Sequence, residues 1–125
     1  MQYDDFIDRV QQRAGLNSQE GAVRAVHATL ATLGERLSRV ETRQLATQLP
    51  KELQVYLHPK QESQIFSLDE FFNRVSARAH VRRAEAIDQA RAVLGVLREA
   101  VSAGEIDDVR LELAPDYDTL FEEDT

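Results

Sequence analysis

The sequence predicts an all-α protein, a six-helix bundle made of two three-helix repeats related by a pseudo-twofold axis. Three observations lead there. Apolar residues recur at helical spacing, not in alternation, along nearly the whole chain. The stretch DDFIDRVQQRA, residues 4–14, returns as DEFFNRVSARA at 69–79. Capping boxes, in which a Ser or Asn precedes a Glu by three residues, mark helix starts at matching places in both halves.

The elements follow in order. Tyr3, Phe6, Ile7, Val10 and Ala14 trace one face of a first helix, and Gly15 stands where a left-handed residue would end it. Asn17 with Glu20 forms a capping box for a second, longer helix, with Ala22, Val26, Thr29, Leu30, Leu33 and Leu37 along its stripe. Ser38 with Glu41 opens a third through Leu45 and Leu49, interrupted or restarted at Pro50 and finished by Leu57. A polar link, His58 to Phe66, closes the first half. Ser67 with Glu70 then opens a fourth helix carrying Leu68, Phe71, Phe72, Val75 and Ala79, and a long fifth runs through Ala86, Ala90, Val93, Leu94, Leu97 and Val101. Ser102 with Glu105 caps a last segment bearing Ile106, Val109, Leu111 and Leu113, which Pro115 interrupts before Tyr117, Leu120 and Phe121.

The duplication extends beyond apolar periodicity. At an offset of 65, Asp4, Phe6, Arg9, Val10, Arg13 and Ala14 meet Asp69, Phe71, Arg74, Val75, Arg78 and Ala79. After one residue is lost, Ala22, Leu30, Leu33, Glu35, Ser38, Glu41 and Leu49 meet Ala86, Leu94, Leu97, Glu99, Ser102, Glu105 and Leu113. Shared polar residues and caps are the telling part, since any two amphipathic helices share a stripe. Residues 1–125 thus read as a single domain with repeat one at 3–57, a link at 58–66, repeat two at 67–121 and an acidic tail at 122–125. A three-helix unit of this size is marginal alone, so the copies are expected to pack together, with Phe6 and Ile7 opposite Phe71 and Phe72 as the candidate seam.

Composition sets further bounds. Cysteine is absent, which excludes disulfides, thiolate metal sites and thiol catalysis and suits a reducing cytoplasm. The opening residues have neither a basic nor an apolar region, so neither a signal peptide nor a membrane span is expected. The net charge of −7 is lopsided: Gly104 to Thr125 holds nine acidic residues against Arg110 alone, leaving residues 1–103 near +1. Such an end is either a solvated terminus or a contact for a basic partner. Thirteen of the fifteen cations are Arg, the side chain suited to bidentate carboxylate or phosphate contacts.

The candidate site residues are the polar positions that recur: Arg9, Arg13, Arg74, Arg78, Glu35 and Glu99. Structurally, Glu35 and Glu99 near the ends of the long helices would bridge to Arg on a first helix and fix the register. Functionally, four arginines converging across the axis would bind an anion such as phosphate or a carboxylate. The structural account is favoured, because each Arg has an acid within its own unit.

No metal site or cofactor is expected. His27, His58 and His80 share no ligand spacing, and His27 reads as a partly buried structural residue beside a helix stripe. The acidic clusters Asp4, Asp5, Asp8 and Glu105, Asp107, Asp108 lie in first helical turns, where negative charge is favoured anyway. The five isolated glycines form no phosphate loop or nucleophile elbow, so nothing supports an enzyme. Arg74, Arg78, Arg82, Arg83, Arg91 and Arg98 concentrate cations as a phosphate-binding face would. Interspersed acids and a pI near 4.9 weigh against nucleic acid.

The segments YDDFIDRVQQRAGL, LATLGERLS and ATQLPKELQVYL resemble the bacterial domain-of-unknown-function family DUF2267, over essentially the whole chain. The resemblance implies a prokaryotic, cytoplasmic, all-helical protein and no activity. The second half departs from the Leu-Pro pair, reading Leu113-Ala114-Pro115, which favours a kink over a functional role there. The sequence therefore points to a non-enzymatic protein-interaction or regulatory module, monomer or homodimer. Nucleic-acid binding along Arg74 to Arg98, or anionic-ligand binding at the arginine seam, stand as alternatives.

Overall fold

The computed structural model describes residues 1–57 and 62–122. His58 and part of the expected link and tail lie outside the described residues. Within them every regular element is helical: α1 (Tyr3–Ala14), α2 (Gln19–Arg36), α3 (Arg39–Thr47), α4 (Lys51–Gln54), α5 (Leu68–Ala79), α6 (Arg83–Ala100) and α7 (Ala103–Glu112). Two 3-10 segments, Val55–Leu57 and Pro115–Phe121, follow α4 and α7.

The prolines explain why the third helix of each half is broken. Pro50 cannot continue α3, and it stands as the N-cap of the short α4. Pro115 opens the final 3-10 segment at its first position. Leu111, assigned to the apolar stripe of α7, is instead 83% exposed, since it is out of phase with the buried Ile106 and Val109.

Helix ends follow local chemistry. Gly15 adopts φ 65° and ends α1, and its amide donates to the carbonyls of Gln11 and Gln12. His80 ends α5 in the same left-handed conformation. The cap of α2 is Ser18, whose Oγ accepts from the Gly21 amide, and not Asn17; the register is one residue later than the sequence pattern indicated.

The packing corrects the expected seam. The long helices α2 and α6 pack against each other, α1 lies against both α2 and α6, and α5 lies against both α2 and α5's own successor α6. The first helices are therefore not principally opposed: each crosses to the long helix of the other half. Phe6, Ile7, Phe71 and Phe72 all reach a single core shared by both halves, together with Leu30, Leu33, Leu94 and Leu97. The reason is stripe width. α2 and α6 bury residues around much of their circumference, so each has room for two neighbours. The short α3 and α7 pack against each other, and their Leu45, Ile106 and Val109 join the same core.

Candidate functional site

The crossed packing brings the six recurring charged residues into two groups. Glu35, at the end of α2, receives Arg78 from α5 in a two-pronged pair, Nη1 to Oε1 at 2.7 Å and Nη2 to Oε2 at 2.8 Å. Arg74 adds a second guanidinium at 3.2 Å and is anchored by Glu70 one turn back at 2.8 Å. Glu99, at the end of α6, receives Arg9 at 2.8 Å and Arg13 at 3.0 Å, both from α1. Each carboxylate thus meets the first helix of the opposite half. Both glutamates do meet Arg on a first helix, as the structural account expected, but on that of the other half; among the described residues Arg74–Glu70 is the one ion pair these four arginines make within their own half.

The two groups have the same plan and different surroundings. Around Glu35, Phe66 lies under the Arg74 guanidinium at 3.9 Å, the Gln64 amide donates to the Glu35 carbonyl, and Thr32 Oγ1 accepts from Arg78. The side chains of Arg74 and Glu35 are 25% and 27% exposed. Hydrogen bonds from Arg78 hold the Glu35 carboxyl below the usual carboxylate range, against partial burial. Around Glu99 no such cover is built by the described residues: Arg9 is 53% and Glu99 37% exposed.

The open group stands at the wall of a cleft of about 820 Å³ between α1, α6 and the C-terminal segment. Arg13, Arg91 and Arg98 supply positive charge to its lining, and Asp88, Glu99 and Glu122 supply negative. Gly95 shapes the floor: a Cβ there would overlap the Arg13 guanidinium, so the missing side chain lets Arg13 cross α6 to reach Glu99. Arg98 donates to the Phe121 carbonyl at 2.6 Å and fixes the C-terminal segment along one edge. Gly95 and the cleft were not singled out from sequence, where an isolated glycine in a helix carries no signal of its partner.

A second arrangement lies between α3 and α7. The Oγ of Ser38 and Ser102 cap their helices by accepting from Glu41 and Glu105 amides. The return limb of each capping box is absent. The Ser38 amide instead donates to Glu112 at 2.8 Å, with the Ser38 hydroxyl donating to the same carboxylate at 2.7 Å. The Ser102 amide donates to Gln48 at 2.7 Å. Gln48 and Glu112 are equivalent positions, so each short helix caps the other. Glu41 and Glu105, relieved of capping, turn inward. Burial, followed by the facing Glu41, pushes the Glu105 carboxyl up to about 8.

The remaining sequence candidates are dispersed. His27 is exposed, not buried, and stacks on Tyr56 with ring centroids 4.4 Å apart; His80 ends α5. Arg82 pairs with Glu85, and Arg83 with Asp69.

An all-helical chain with this charged plan is placed by comparison with known families. The family described as "Uncharacterized conserved protein (DUF2267)" matches residues 3–120. The chain belongs to this family. No curated protein matches it. Among the described residues, no helix is long and apolar enough to cross a membrane.

Proposed function

We propose that the chain is a non-enzymatic protein-interaction module whose cleft beside Arg9, Arg13 and Glu99 receives a polar segment of a partner protein. The observation that carries this reading is the unequal treatment of two equivalent charged groups. The Glu35 group is backed by Phe66 under Arg74 and by the Gln64 amide on the Glu35 carbonyl, as a purely structural ion pair would be. The Glu99 group has the same residues at the same spacing and opens onto a cleft. A lining of both signs suits a polypeptide, which presents amides and charges of either sign, better than an apolar small molecule.

The reading takes the chain as two three-helix units about a pseudo-twofold axis, which have diverged in what covers each charged group. A cytoplasmic setting belongs to it on the strength of a cysteine-free composition. What weighs against nucleic acid is that Arg74, Arg78, Arg82 and Arg83 all lie against carboxylates, which phosphate would have to displace.

The test is capture of partners from a nuclease-treated native lysate with the wild-type chain and with Gly95→Ala, followed by titration of the recovered protein against both. A partner held by the wild type and lost from Gly95→Ala supports the reading. An identical catch with both variants overturns it, and so does a catch that vanishes with the nuclease.

A further inference from the structure

We propose that Glu41, Glu105 and Asp108 form a binding site for one hard divalent cation, with Ca²⁺ the best fit and Mn²⁺ and Mg²⁺ next. The site lies between α3 and α7, apart from the cleft, and does not depend on the reading given for it.

Two buried carboxylates face each other here without the groups that normally accompany such burial. Glu41 and Glu105 are 7% and 6% exposed. Among the described residues no N–H or hydroxyl donates to Oε1 of Glu41 or Oε2 of Glu105, although each is shielded from solvent; the two carboxyl groups have only each other, sharing a proton when Glu105 is protonated. Buried polar atoms are ordinarily satisfied, and a buried charge is ordinarily paired or bound to a metal. The usual explanation, that Glu at this helical position turns back to cap its own helix, fails at both residues. Their Ser amides are already taken by Glu112 and Gln48. The exchange of caps between α3 and α7 thus does two things: it locks the helices together and leaves two carboxylates pointing at one space.

Geometry and donor chemistry select the ligand. One carboxylate oxygen from each of Glu41, Glu105 and Asp108 lies within 4.8 Å of the others. Three equidistant oxygens bound to Ca²⁺ at about 2.4–2.6 Å stand about 4.2–4.5 Å apart, so a set spread over no more than 4.8 Å closes on one ion with small side-chain movement. An all-carboxylate set without His or Cys favours Ca²⁺, Mn²⁺ and Mg²⁺ over zinc or copper. Mg²⁺ ranks below Ca²⁺ because it demands stricter geometry and gives up water reluctantly. Asp108 is exposed, which supplies an entry path and leaves room for water to complete the sphere. Glu112, held on Ser38 beside the site, adds negative potential without needing to bind.

The experiment uses the full chain, stripped with chelator and dialysed into metal-free buffer, and titrated calorimetrically with Ca²⁺, Mn²⁺ and Mg²⁺ in turn. Expected is saturable binding of one Ca²⁺ or Mn²⁺ per chain, with a dissociation constant of about 10⁻⁵ to 10⁻³ M and a rise in melting temperature. Asp108→Asn changes an exposed residue and leaves the core intact; it should weaken binding at least about tenfold. Glu105→Gln should abolish it. Asp107→Asn, an equal charge change one residue away, should leave it unchanged. Absence of saturable binding by all three ions up to about 10 mM overturns the proposal. Equal weakening by Asp107→Asn and Asp108→Asn also overturns it, because that is the behaviour of a diffuse acidic surface.

Discussion

Arg13 lies across the backbone of Gly95, in the space where any other residue would carry its Cβ. The overlap is with the end of a flexible side chain, so the fold can accept a larger residue by releasing Arg13 from Glu99. Alanine favours a helix interior over glycine by about 0.8–1 kcal/mol, while an exposed ion pair contributes about 0–1 kcal/mol. Gly95→Ala should therefore leave global stability unchanged or slightly raised while disabling the open charged group. Gly34→Ala is the control, since a Cβ there meets the Leu57 Cα at an ordinary 3.6 Å. Urea melts of both variants, with partner binding as the second readout, separate the fold from the site. A loss of more than about 1 kcal/mol in Gly95→Ala would show Arg13 to be a structural keystone.

The two charged groups should differ in their response to acid. Glu35 has a folded-state pKa below its unfolded value, so its contribution is fully present above the ordinary carboxylate range. It disappears as the pH falls through the lowered value. Glu35→Gln should be less stable than the wild type by about 1 kcal/mol at pH 7, after allowance for solvent screening, and the gap should be narrower at pH 3, below the ordinary carboxylate range. Glu99→Gln should cost less, because its arginines are 53% and 47% exposed against 25% and 36% for those of Glu35. Denaturant midpoints at the two pH values decide the matter; a gap just as wide in acid would assign the loss to packing and not to charge.

How much of this was legible in the sequence divides by range. Helix identities, the Gly15 terminus and the proline breaks are local and were readable. So was the special status of Glu35 and Glu99, because they recur in both halves. The partners were legible in part: an Arg on a first helix was expected, and only the crossing of α1 onto α6 and of α5 onto α2 shows which first helix, assigning Arg9 to Glu99 and Arg78 to Glu35. The capping boxes were half legible. Ser38 and Ser102 do cap, but whether a Glu returns the bond depends on a competitor arriving from another helix, here Glu112 or Gln48. Burial of Glu41 and Glu105 follows from that competition and has no local signature.

The exchanged caps make their own prediction. Glu112 accepts from both the amide and the hydroxyl of Ser38, whereas Gln48 accepts only from the Ser102 amide. Charged acceptors make stronger hydrogen bonds than neutral ones. Glu112→Ala should thus destabilise by about 1.5–3 kcal/mol and Gln48→Ala by about 0.5–1.5 kcal/mol. Chemical denaturation of the pair measures the difference, and hydrogen exchange should show the first amides of α3 losing protection in Glu112→Ala. Equal costs at the two positions would mean that the charge adds nothing.

Glu105 should give the chain an inverted dependence on pH in metal-free buffer. Its folded-state pKa of about 8 lies above the ordinary 4.5, so the folded form holds a proton that the unfolded form has released. Stability from this group is complete below about 4.5 and is lost as the pH climbs towards 8. Glu105→Gln removes the titration and gives Glu41 an amide donor in place of a like charge. The variant should match or trail the wild type at pH 5 and exceed it at pH 8 by about 1–3 kcal/mol, the usual cost of an unsatisfied buried polar group. Thermal melts at both pH values in the presence of chelator test this. A wild-type melting temperature that holds steady from pH 5 to pH 8, in parallel with the variant, would mean that the two carboxylates are not forced together in the folded chain.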